Sequence, residues 1–173
     1  MKKYLLAAFC VLAAPLLAQA PAYEVEYPLP ADIYEALWSL PALQQAEKTA
    51  KQTGGELTEQ QKKDLAKYTE RVKGIVGVEI TGERCPPCLA FARMLKEDTF
   101  LEELKSKGGR FYQLDLGTEK GLAGKKLSSD IWGITGMPYV LFFKDGAPIY
   151  LLKGFDKAQW PNVKQALRQK KIL

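Results

Sequence analysis

The sequence predicts an α/β chain: a mixed central sheet flanked by helices, preceded by a helical extension. Three observations predict it. From residue 75 onward, short apolar runs alternate with helical patterns in the order βαβαββα. The first run, Ile75-Val76-Gly77-Val78-Glu79-Ile80, is almost unbroken, as in a strand covered on both faces. Near the end, Lys144-Asp145-Gly146 separates two strand-like runs and reads as a hairpin turn. The sheet is therefore expected to begin parallel and to finish antiparallel.

Residues 1–22 read as a secretory signal. Lys2 and Lys3 give the charged start, and residues 5–17 form an apolar core too short to span a bilayer. The small residues Ala18, Ala20 and Ala22 follow, and cleavage is expected after Ala22. Its removal takes Cys10 with it, and takes two lysines from a chain with 25 basic and 20 acidic residues. The basic residues that remain are scattered rather than clustered, so no nucleic-acid partner is expected.

Residues 23–73 read as a helical extension with too little core to fold alone. Its first residues, with Pro28 and Pro30, are extended. A short helix follows over 31–40, with Ile33, Ala36, Leu37 and Leu40 on one face. Pro41 is expected to interrupt it before a second helix over 42–52, which Gly54-Gly55 stops. Thr58-Glu59-Gln60-Gln61 is a capping box, and the helix it opens carries Leu65, Tyr68 and Val72 at helical spacing. One apolar stripe means that this helix packs on something; its other side is charged and solvated.

Residues 74–173 form the main domain in this reading. A strand over 75–81 leads to a helix with Leu89, Met94 and Leu95 as its core positions. A capping signal at Asp98-Thr99 opens a further helix to about residue 107, and Gly108-Gly109 ends it. A strand over 110–116, a polar loop over 117–124 and a short helix over 127–132 come next. Strands over 137–143 and 148–152 flank the hairpin. A last helix over 157–170 turns Val163, Ala166 and Leu167 inward.

The chemistry-bearing motif is Cys85-Pro86-Pro87-Cys88, where the first strand hands over to a helix. Two thiols at this spacing can close a disulfide and open it again. The first lies at a helix N-terminus, where unpaired N–H groups and the dipole favour the thiolate, the nucleophile of disulfide exchange. A zinc site is the competing reading. It needs four ligands, usually Cys or His, and this chain has no histidine and three cysteines. Zinc would have to recruit carboxylates or a second chain, and no metal or other cofactor is expected. A Cu(I) carrier is disfavoured by the lack of histidine and of a methionine cluster.

The order of elements and three motifs resemble the thioredoxin superfamily over about residues 75–173. The motifs are the Cys-Pro-Pro-Cys junction, the segment Trp132-Gly133-Ile134-Thr135-Gly136-Met137-Pro138, and Lys144-Asp145-Gly146 with Gly154 beyond. The resemblance implies a thioredoxin-like fold with Pro138 in the cis form against the dithiol. It leaves the backbone of Met137 to pair with an extended substrate strand. It also assigns a role to Glu79, six positions before Cys85: a carboxyl buried beneath the site, which takes the proton of Cys88. Burial in an apolar strand raises such a carboxyl toward a useful value for proton transfer.

This chain departs from the family pattern in places. Arg84 stands where many members carry Trp, and a cation there favours the Cys85 thiolate. Gln113 occupies the position of a lysine that faces the buried acid. The stretch between Cys88 and Pro138 is too short for the helical insertion domain of the periplasmic oxidases. With these features the resemblance implies a periplasmic thiol–disulfide oxidoreductase, a reductant or isomerase rather than an oxidase. Cys85 attacks, Cys88 resolves and Glu79 accepts the proton; Arg84, Pro86, Pro87, Met137 and Pro138 border the substrate. Its partners would be proteins with disulfides or thiols, and a membrane thiol carrier that supplies electrons. The alternative is a thioredoxin-fold interaction module in an envelope assembly or secretion machine.

Overall fold

A computed structural model describes residues 27–82, 85–116 and 137–173. The signal-like segment, Arg84, the loop and short helix read over 117–132 and the segment from Trp132 to Gly136 lie outside the described residues. The elements are α1 (Ala31–Thr53), α2 (Glu59–Arg71), β1 (Ile75–Thr81), α3 (Pro86–Glu97), α4 (Phe100–Ser106), β2 (Arg110–Asp115), β3 (Tyr139–Lys144), β4 (Ala147–Lys153), a 3-10 turn (Lys157–Gln159) and α5 (Trp160–Gln169). The four strands form one sheet in the order β2-β1-β3-β4. β1 pairs parallel with β2 and antiparallel with β3, and β4 pairs antiparallel with β3. With helices on both faces and a parallel start joined to a terminal hairpin, the fold is α/β and thioredoxin-like.

Every residue of β1 is buried. Its side chains alternate between two layers, as the pleat requires. Val76, Val78 and Ile80 face Ile33, Ala36, Leu37 and Leu40 of α1, Tyr68 of α2 and Val72 just after it. Ile75 lies in the opposite layer with Phe91, Met94 and Leu95 of α3, Phe100 and Leu104 of α4, and Trp160 and Leu167 of α5. Gly77 faces this second layer where two rings cross. A Cβ built on it would lie 2.9 Å from the Phe111 ring and 3.0 Å from the Phe142 ring. Phe100 anchors the layer, edge-on to Phe111, Phe142 and Trp160 with ring centroids 5.4–6.2 Å apart.

The structure corrects the sequence reading in three places. α1 is one helix of 23 residues with Pro41 inside it, not two helices. Proline removes one intrahelical hydrogen bond. The apolar face before Pro41 is fixed on the sheet, and α1 packs along α2, so a single missing bond does not end the helix. β3 begins at Tyr139 rather than at residue 137. The last helix opens with a 3-10 turn at Lys157 and becomes α-helical only at Trp160.

Two expected devices form in full. Thr58 Oγ1 accepts from the Gln61 N–H while Gln61 Oε1 accepts from the Thr58 N–H, closing the capping box. In the β3–β4 hairpin Asp145 and Gly146 take φ of 51° and 80°, the left-handed pair of a type I′ turn. The turn is pinned under the N-terminal helices: a Cβ on Gly146 would sit 2.6 Å from Leu40 and 2.9 Å from Val72. Residues 27–73, the described part of the extension, thus share a core with the sheet. Their extended start also joins it at the edge, where Pro28 bridges Gln113 of β2 in parallel.

Candidate functional site

Cys85 is the N-cap of α3 and Pro86 and Pro87 open the helix, so the first turn has few N–H donors. The Cys88 N–H supplies one, donating to Cys85 Sγ at 3.2 Å. The two cysteines form a disulfide with Cα atoms 5.2 Å apart. Cys88 is fully buried and Cys85 is 7% exposed, so Cys85 is the more accessible of the two. Pro86 and Pro87 are exposed beside it. Arg84 lies outside the described residues.

The register of the sheet brings the β3 end of the site to the same level. Ile80 pairs with Tyr139, which sets Met137 and Pro138 opposite the end of β1. The Met137–Pro138 peptide bond is cis. Pro138 is buried, and its carbonyl accepts from the Gly154 N–H at 2.9 Å. Met137 is 38% exposed, and its thioether covers Gly82, where a Cβ would come within 3.1 Å of the sulfur. An exposed methionine and two exposed prolines thus border the end of the sheet that carries the dithiol.

Glu79 lies on the sheet face covered by α3, in register with Gln113 on β2 and Val140 on β3. It is fully buried. Gln113 Nε2 donates to Glu79 Oε2 at 2.7 Å, while Oε1 has no partner among the described residues. Desolvation raises the carboxyl from its ordinary 4.5 to about 7, against the pull of the Gln113 donor. An acid poised there can hold or release a proton near neutrality.

Two neighbours of Glu79 escaped the sequence reading. Thr81 is buried two residues along the same face, and its hydroxyl also lacks a partner among the described residues. The alternation of β1 was the signal for it. Tyr27 reaches the site through its backbone, its N–H donating to Gln113 Oε1 at 3.3 Å. A main-chain donor carries no residue-type signal. Among the described residues, no group of three or more His, Cys, Asp or Glu side chains could hold a metal ion. No described helix is long and apolar enough to cross a membrane.

No family model and no curated protein matches this chain. Solved structures that it resembles include Fasciola hepatica thioredoxin, at 20% identity and a TM-score of 0.43, covering 61% of this chain and 92% of that one. Spinach chloroplast thioredoxin f matches at 21% identity and a TM-score of 0.43, covering 57% and 78%. Chlamydomonas reinhardtii thioredoxin f2 matches at 17% identity and a TM-score of 0.47, covering 61% and 88%. The strand order is that of the sheet itself, and the chemistry rests on the Cys85–Cys88 disulfide at the head of α3.

Proposed function

We propose that this chain is a thiol–disulfide oxidoreductase of the thioredoxin type that exchanges disulfides with protein substrates. The observation that carries the reading is the Cys85–Cys88 disulfide at the N-terminus of α3, on the sheet face that also buries Glu79. In the reductive direction the Cys85 thiolate attacks a substrate disulfide, forming a mixed disulfide and releasing one substrate thiolate. Cys88 gives its proton to the Glu79 carboxylate and attacks Cys85 Sγ. The second substrate thiol leaves with a proton, and the protein is left oxidised, to be reloaded by an external dithiol. Met137, Pro138, Pro86 and Pro87 form the rim that a substrate strand meets.

The donors around Cys85 support a direction of use. Pro86 and Pro87 remove two N–H groups that would stabilise a thiolate, and no imidazolium replaces them. A weakly stabilised thiolate suits a reductant or isomerase better than an oxidase. The signal-like residues 1–22 support work in the periplasm, with a membrane thiol carrier as electron donor.

Insulin reduction in the presence of dithiothreitol tests the activity. The protein should accelerate precipitation, and Cys85→Ser should remove the acceleration entirely. A protein with its dithiol intact that runs no faster than dithiothreitol alone defeats the proposal and leaves the interaction-module reading.

A further inference from the structure

We propose that Gln113 is a positioning residue for Glu79, and that the Tyr27 backbone fixes which end of its amide faces the acid. Docking of residues 27–29 on the sheet edge then governs proton affinity at the buried carboxyl. The inference extends the proposed function, since Glu79 matters to exchange only under that reading.

Gln113 is 4% exposed and stands beside Glu79 in the β1–β2 register. A side-chain amide can present either its oxygen or its NH2 group. Against a protonated carboxyl both ends find a partner; against a carboxylate only the NH2 does. A peptide N–H can only donate. The Tyr27 N–H therefore claims Gln113 Oε1, at 3.3 Å, and turns Nε2 onto Glu79 Oε2 at 2.7 Å. The main chain of the same residue holds the segment in place: the Gln113 N–H donates to the Tyr27 carbonyl at 2.6 Å, and the Leu29 N–H donates to the Gln113 carbonyl at 2.9 Å. One residue thus clamps the edge segment through its main chain and offers its side-chain NH2 to the acid.

The other groups around Glu79 leave this donor as its polar control. Val140 flanks it from β3. From α3 the buried side chains are Cys88, held in the disulfide, and Phe91, Met94 and Leu95; Arg93, Lys96 and Glu97 are exposed. α4 and α5 add apolar residues to this layer, and Lys164 and Arg168 of α5 are engaged with Asp98 and Glu103. No charged side chain among the described residues shifts Glu79; burial raises it and the Gln113 donor lowers it. With residues 27–29 docked, the carboxylate keeps a fixed donor. With them displaced, the amide loses the donor that holds its oxygen away from the acid, and the protonated form is favoured.

Titration of the Glu79 carboxyl by NMR, on side-chain 13C-labelled, oxidised, full-length protein, tests this without any redox assay. Its failure is therefore distinct from a failure to reduce insulin. Tyr27→Pro removes the N–H and keeps the carbonyl, whereas Tyr27→Ala keeps both and removes the ring. The Glu79 midpoint should rise by about one pH unit in Tyr27→Pro and in Gln113→Leu, the loss of a hydrogen bond to a charged group. It should stay with the parent in Tyr27→Ala. A parental midpoint in Tyr27→Pro, or a rise of equal size in Tyr27→Ala, overturns the role of the segment. A parental midpoint in Gln113→Leu overturns the role of Gln113. Tyr27→Pro alters only a partly exposed edge, and so keeps the test open if Gln113→Leu fails to fold.

Discussion

The two faces of β1 are built to different ends. Under α1 and α2, Val76, Val78 and Ile80 meet a layer made of aliphatic and aromatic side chains. Under α3, the residues between them are Ile75, Gly77, Glu79 and Thr81: one hydrocarbon, one position stripped to backbone, one carboxyl and one hydroxyl. Two of those polar groups have an atom with no partner among the described residues. Such atoms cost about 1–3 kcal/mol each when buried. The first face holds the sheet together, and the second carries polar groups that oppose folding, one of them the carboxyl that the proposed function uses. The N-terminal helices matter to the site for this reason, although none of their residues borders it.

The sharpest way to break the comparison is to damage the first face and watch the second. Leu37 is 1% exposed in the α1 layer. Leu37→Ala should cost about 2–5 kcal/mol, from lost transfer energy and the cavity left behind. Urea denaturation measures it. The rate at which iodoacetamide labels Cys85 in the reduced, still-folded variant should match the parent. A rate that falls together with stability would mean that the two faces are not separable.

Glu79→Gln acts on the second face and keeps the shape. Resolution of the mixed disulfide should slow about 100-fold, the low end of what a positioned acid–base group contributes. The first attack by Cys85 should be nearly unchanged. Single-turnover kinetics separates the two steps, and equal rates for variant and parent would reduce Glu79 to a structural role. Its effect on stability has a definite sign. The carboxyl is raised from 4.5 unfolded to about 7 folded, so the native state binds more protons in that window. Stability is therefore highest below about pH 4.5, falls as pH rises, and levels off above about 7. The drop is up to about 3 kcal/mol by the linkage relation. Glu79→Gln should flatten it, leaving the variant more stable than the parent at pH 8. A parental slope in the variant would place the titrating group elsewhere.

Much of the first face and the frame of the site were legible in the sequence. An unbroken apolar strand, a Cys-x-x-Cys pair at its exit, a capping box and an Asp-Gly turn are local signals, and local physics made each of them. Pro41 was misread because propensity was weighed without tertiary contacts: anchoring of Leu37 and Leu40 outweighs one lost hydrogen bond. Phe91 was passed over in α3 although it is buried, whereas Leu89, chosen as core, is only half-buried. Gln113 looks like a polar position on a strand; the resemblance alone sets it opposite the buried acid, and the register and the bond to Glu79 put it there. The pairing of residues 27–29 has no sequence signature at all, because three residues are too few for an alternation and its bonds are main-chain.

A second carboxyl sharpens the comparison within the α3 layer itself. Glu103 of α4 sits on the outside of that layer, its side chain 31% exposed. Arg168 of α5 pairs with it at 2.6 Å, the Thr99 hydroxyl donates to it at 2.8 Å, and Lys164 stands 3.5 Å away. The Arg168 and Thr99 bonds pull it down from 4.5 to about 2, in the direction opposite to Glu79. The sign of its linkage is also opposite. A depressed carboxyl contributes stability that is complete above about pH 4.5 and is lost as pH falls through about 2. The contribution is smaller than the depression alone suggests, because water screens a pair this exposed. Glu103→Gln should cost about 0.5–1 kcal/mol at pH 7 and low salt, less in 1 M salt, and only a small remainder near pH 2. Acidification should thus first strengthen the fold, as Glu79 takes up its proton, and then weaken it, as Glu103 loses its charge. Denaturation midpoints of the parent and both variants across pH 2–8 resolve the two limbs. A Glu103→Gln penalty that persists undiminished at pH 2 would assign the cost to packing between α4 and α5 rather than to charge.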